Sequence, residues 1–246
     1  MKKPLIAILF ALLPAVALAA GGHDVELDKA NIDPANKESL QRGAKVFVNY
    51  CMSCHAAKYQ RYNRVARDLG IREDDVIEYL MFTGDKIGDH MDVAMTKADG
   101  KAYFGAAPPD LTLVARVRGV DWLYSYLRTF YLDDTRPFGV NNLVFPNVGM
   151  PHVLWELQGW QEAVITTVKD HDGRERKEIS LELVEPGLLE PHEYDRAVRD
   201  LVNFLDYMGE PAKYERRELG VKVIMFLVFF LVVAYLMKRD YWKDVH

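Results

Sequence analysis

The sequence predicts a mainly α domain with one small β-hairpin excursion, exported across a membrane and held there by a single C-terminal helix. Three observations predict it: an apolar N-terminal leader, a charge-free run from Val223 to Met237, and two segments between them with apolar residues at helical spacing.

The leader begins with Lys2 and Lys3, continues as an apolar run from Leu5 to Leu18, and ends in small residues suited to cleavage after Ala19. Pro14 interrupts the run, which falls short of the roughly 20 residues a membrane span needs. Residues 1–19 therefore read as a secretory signal peptide. Residues 20–218 form the exported part, about 200 residues and enough for one domain with a real core. The chain carries a formal net charge of -5, and removing the cationic ends makes the exported part more acidic. Such a surface disfavours nucleic acid and suits a basic soluble partner.

The first amphipathic helix is expected to begin near Ser39, with Leu40, Gly43, Ala44, Phe47 and Val48 on its apolar face. Gly43 allows another helix to approach closely. Directly after it stand Cys51, Met52, Ser53, Cys54 and His55. Two cysteines in an exported chain ordinarily suggest a disulfide, but CxxCH is the attachment signature of c-type haem. Two thiols at this spacing add to the two vinyl groups of one porphyrin, and the adjacent imidazole ligates the iron. A CxxC redox pair is the main competitor, yet no thioredoxin-like strand precedes the motif. The cofactor expected is one covalently bound haem c.

The second axial position decides between electron transfer and chemistry at an open iron. Met52 lies in the attachment loop, Met81 and Met208 fall on apolar helical stripes, and Met225 and Met237 belong to the anchor. Met91, Met95 and Met150 remain, with His90 and His152 as imidazole alternatives. Met150 is preferred because Pro146, Gly149 and Pro151 stiffen the loop NNLVFPNVGMPHV around it. Met91 and Met95 rank second, in a stretch, GDKIGDHMDVAMTKADG, that reads as exposed, mobile loop. A Met150 that packs on the haem without ligating is the competing structural role.

Between these motifs, Ala107-Pro108-Pro109-Asp110-Leu111 suits a rigid haem wall, with Asp110 expected to cap the helix that follows. Arg116 and Arg118 lie two apart and face differently, so at most one reaches a haem propionate. Trp122 either donates its indole N–H or is core. The segment Val164 to Val184 holds two alternating runs, VITTV and ISLELV, around a turn with Asp172 and Gly173, and reads as a surface hairpin. A second amphipathic helix spans Glu193 to Met208, with Tyr194, Ala197, Val198, Leu201, Leu205 and Met208 as its stripe, and Gly209 and Pro211 stop it.

The anchor is placed at 219–238, about 19 apolar residues or roughly 28 Å of helix. Lys222 snorkels at one end; Lys238, Arg239 and Lys243 favour the cytoplasmic side at the other, where Tyr241 and Trp242 suit the interface. Residues 239–246 are the cytoplasmic tail. No internal repeat, nucleotide-binding glycine motif or metal-ligand cluster beyond the haem is apparent.

Taken together, RGAKVFVNYCMSCH at 42–55, PPDL at 108–111, FPNVGMP at 145–151 and EYDRAVRDLVNFLDYMGEP at 193–211, followed by an anchor, resemble cytochrome c1, the haem subunit of the bacterial cytochrome bc1 complex. The resemblance implies a cytochrome c-like haem domain whose first and last helices cross. It implies thioethers at Cys51 and Cys54, iron ligation by His55 and Met150, a propionate contact at Arg118, and Pro109 and Trp122 lining the haem. A second proline after the ligand Met is not matched, since His152 follows Pro151. The extra disulfide of some members is not possible once both thiols hold haem.

The resemblance further implies a chain that is not a catalyst alone. It would pass electrons from a Rieske iron–sulfur protein to a c-type cytochrome, within the ubiquinol–cytochrome c reductase of a respiratory chain. Its partners would be cytochrome b and the Rieske subunit in a dimeric complex, with the haem domain on the periplasmic side of the inner membrane. Two other readings stay open: a haem peroxidase-like enzyme with an open axial position, and a free membrane-tethered electron shuttle.

Overall fold

The computed structural model describes residues 25–169 and 175–244, so the leader and the turn at Asp172 and Gly173 lie outside the described residues. In chain order the elements are α1 (Lys37–Val46), a π turn (Phe47–Cys51), β1 (Ala57–Arg61), α2 (Tyr62–Leu69), α3 (Glu73–Tyr79), β2 (His90–Met91), α4 (Lys97–Phe104), α5 (Val114–Arg118) and α6 (Val120–Arg128). There follow β3 (Phe130–Leu132), β4 (Val140–Asn142), α7 (Trp155–Gln158), β5 (Gly159–Lys169), β6 (Glu175–Pro186), α8 (Pro191–Gly209) and α9 (Lys213–Tyr241). The strands form three separate antiparallel pairs, β1–β2, β3–β4 and β5–β6, so helices carry the architecture as expected.

Helix α1 starts at Lys37, two residues before the expected Ser39, because the Asn36 side chain accepts from the Ser39 N–H at 2.9 Å and caps it. Pro191 opens α8, where Glu190 and Glu193 form a reciprocal capping box, and the helix stops at Gly209 ahead of Pro211. The two helices cross at Gly43, where Phe47 meets Phe204 with ring centroids 5.7 Å apart. The cluster at this crossing, with Leu40, Ala44, Leu201 and Leu205, is the centre of the core. Asp200 is buried within it, and a buried carboxylate is costly unless paired. Ser39 donates to it at 2.6 Å and Arg42 at 2.5 Å, which meets that cost.

The expectation of an exposed, mobile loop is corrected at Met91, although most of the stretch around it is exposed or half-buried. Met91 is only 1% exposed, in a two-residue strand opposite Ala57, because β2 pairs with the chain just after the attachment motif. Asp110 does not cap α5: its carboxylate accepts from the N–H groups of Thr112 (2.9 Å) and Lys58 (2.8 Å), tying the proline segment to β1 instead.

The hairpin is longer than its alternating runs, with pairing from Gly159↔Pro186 outward. Gly159 has φ 89°, and a Cβ there would lie 2.1 Å from the Glu185 carbonyl oxygen, so the base of the ribbon requires glycine. Gln161 fastens this base by donating to the carbonyls of Arg128 (3.0 Å) and Phe130 (2.9 Å).

Helix α9 contains a 27-residue stretch, Glu215–Tyr241, long and apolar enough to cross a membrane. At 1.5 Å per residue it spans about 40 Å, more than a hydrocarbon core of about 30 Å. Its first turn is bound to the domain by Lys213–Asp206 at 2.8 Å and Arg216–Glu210 at 2.7 Å.

Candidate haem site

The π turn at the end of α1 widens the helix by one residue per turn and delivers Cys51 to the wall of an apolar cavity of about 400 Å³. The next turn is closed by the N–H groups of Cys54 and His55, which both donate to the Cys51 carbonyl, at 3.1 and 2.9 Å. This fold-back brings Cys51, Cys54 and His55 to the cavity wall. Leu201 and Leu205 of α8, residues of α6 and the loop around Met150 complete its lining.

All seven residues singled out from the sequence line this one cavity: Cys51, Cys54, His55, Pro109, Arg118, Trp122 and Met150. The rival ligands do not. Met91 is packed in β2, Met95 borders a neighbouring surface cleft, and His152 is held between Phe130 (4.9 Å, stacked) and Trp160 (5.9 Å, edge-on).

His55 is held in a set orientation. Its Nδ1 lies 2.8 Å from the Pro109 carbonyl, which fixes the tautomer with the proton on Nδ1 and leaves Nε2 free to coordinate. Burial pushes its pKa below the ordinary value, against the opposing pull of the Pro109 carbonyl and Asp110, so the neutral ring is favoured. The two thiols are free, and burial pushes Cys51 up to about 12.

Arg116 and Arg118 separate as their spacing requires. Arg116 turns to Glu210 at 3.4 Å, whereas Arg118 lies at the cavity with its guanidinium 4.9 Å from the Trp122 ring and 5.7 Å from Phe145. Among the described residues Arg118 has no carboxylate partner, which leaves its charge available to an anionic group at the rim. Trp122 serves as wall, stacked on Tyr126 at 4.9 Å and 10°.

Tyr126 was not foreseen. Its hydroxyl donates to Met150 Sδ at 3.4 Å from inside the cavity. The available signal was the four-residue spacing of Trp122 and Tyr126, which puts both on one face of α6. The site thus offers two adjacent thiols, an imidazole with a free nitrogen and a thioether on the walls of one apolar cavity, a donor set that fits haem. The model of the Cytochrome C1 family matches residues 29–245, which takes in all four sequence motifs.

The chain belongs to the cytochrome c1 family. It is 52% identical to cytochrome c1 of Allochromatium vinosum over the full length of both chains. It is 50% identical to a Nitrosomonas europaea protein named ammonia monooxygenase gamma subunit, over 100% of this chain and 98% of that one. A cytochrome b/c1 of Bradyrhizobium diazoefficiens is 26% identical over 99% of this chain but only 41% of its own length. Membership of the cytochrome c1 family carries a haem cofactor and a role in electron transport.

Proposed function

We propose that the chain holds one haem c through thioethers to Cys51 and Cys54, with His55 and Met150 as axial ligands. In this reading it relays single electrons from a Rieske iron–sulfur protein to a c-type cytochrome during ubiquinol oxidation. The observation that carries it is the meeting of both cysteines, His55 and Met150 on one apolar cavity.

Bound haem supplies a one-electron couple, and a thioether opposite imidazole sets it higher than two imidazoles would. The protein's part is to hold the ligands still. Pro109 fixes the His55 ring through its carbonyl, and the leucines of α8 keep water from the cavity wall. Arg118 would meet a propionate, and Pro109 and Trp122 would form haem walls.

The assembly proposed is the cytochrome bc1 complex, with cytochrome b and Rieske subunits in a dimer. Support comes from the family and from the Bradyrhizobium relative whose name joins b and c1. Lys238, Arg239 and Lys243 past the apolar run favour a cytoplasmic C-terminus, hence a periplasmic haem domain above the inner membrane. The segments proposed are a signal peptide at 1–19, the haem domain at 20–218, the anchor at 219–238 and the tail at 239–246.

Spectroscopy of the membranes with Met150→Ala tests the ligand set. The native protein should be low-spin with a far-red sulfur-to-iron band that this substitution abolishes. High-spin ferric iron in the native protein would instead favour a peroxidase-like open site. Purification without cytochrome b or a Rieske protein would favour a free tethered shuttle.

A further inference from the structure

We infer that Tyr126 is a positioning residue for the axial methionine, its hydroxyl hydrogen-bonded to the lone pair of Met150 Sδ that iron does not use, and that this bond raises the reduction potential. The inference rests on Met150 being the ligand.

Tyr126 is 9% exposed, and its hydroxyl reaches Met150 Sδ at 3.4 Å. Sulfur is the acceptor found for this phenol among the described residues, so a buried O–H depends on it.

The ring has little freedom. Trp122 stacks on it at 4.9 Å, and Phe130 meets it edge-on at 5.2 Å. Phe130 in turn stacks on His152 at 4.9 Å and 6°, two residues beyond Met150. Helix α6 and the methionine loop are therefore joined twice, once by hydroxyl to sulfur and once by ring on ring. A bond made inside such a frame has its geometry set before iron is present.

A thioether sulfur has two lone pairs. With one on iron, a hydrogen bond to the other draws density from sulfur and weakens its donation. Ferric iron needs that donation more than ferrous, so the bond favours the reduced state.

Redox titration of the intact complex tests it, with Tyr126→Phe and with a fluorinated tyrosine, a stronger donor, placed at 126. Tyr126→Phe should keep the far-red band and shift the equilibrium with a fixed mediator about three- to tenfold toward the oxidised protein, tenfold being 59 mV for one electron. The fluorinated residue should shift it the other way, which a merely structural role would not do. Unchanged potentials in both variants, with the far-red band intact, would overturn the inference. Should Tyr126→Phe fail to assemble, the fluorinated variant decides alone, and an unchanged potential there overturns it. A far-red band that survives Met150→Ala would instead sink the ligand assignment, and this inference with it.

Discussion

Gly43 of α1 and Asp200 of α8 meet backbone to backbone: a Cβ on Gly43 would sit 2.0 Å from the Asp200 carbonyl oxygen and 2.8 Å from Phe204 Cβ. No side-chain rotation relieves a clash with backbone, so the helices would have to part. Because α1 runs into the attachment motif and α8 lines the cavity, this close contact brings the two elements together. Gly43→Ala should cost about 3 kcal/mol, the upper range for overpacking, and should reduce haem-stained protein in membranes. Near-native accumulation and melting of that variant would show that the crossing is looser than described.

Asp121 ties the N-terminal strap to α6. Its carboxylate accepts from Lys29 Nζ at 2.8 Å and from the Ala30 N–H at 2.9 Å. The Lys29 hydrogen bond, followed by that from Ala30, holds its pKa below 3.8. The native state then binds this proton less readily than the unfolded chain. The stabilisation is complete above pH 3.8 and is lost as pH falls through the lower native value. Asp121→Asn should lose about 1 kcal/mol at neutral pH, since the pair is partly solvated, and show a shallower loss below pH 4. Thermal melting across an acid series checks both; parallel curves for the two proteins would refute it.

Much of this was legible in the sequence, where pattern and chemistry are local. The stripe Leu40, Ala44, Phe47 repeats at helical spacing, CxxCH occupies five residues, and Pro146, Gly149 and Pro151 mark a stiff loop around Met150. What was not legible depends on partners distant in the chain. Met91 read as loop because a two-residue strand has no period; its burial comes from pairing with Ala57. Tyr126 is not singled out by the sequence pattern, since only the fold brings Met150 to its hydroxyl. The π turn left no trace, because Phe47 to Cys51 are as compatible with an ordinary helix.

Arg118 tests the electrostatics at the cavity rim. Its guanidinium lies over Trp122 at 4.9 Å, and in the proposed reading its charge would meet an anionic group of the cofactor. Arg118→Gln removes positive charge that opposes oxidation, so the midpoint should fall by a few tens of millivolts, less at high salt. Arg116→Gln, which removes only the contact to Glu210, should leave it unchanged. Equal shifts in the two variants would place the propionates elsewhere.

Intact mass of the mature chain, taken after denaturation and removal of free porphyrin, bears most directly on everything above. The native polypeptide should carry the added mass of one haem, and a variant with both Cys51→Ala and Cys54→Ala should carry none. A native chain without that addition, its two sulfurs free or bridged, would contradict the account.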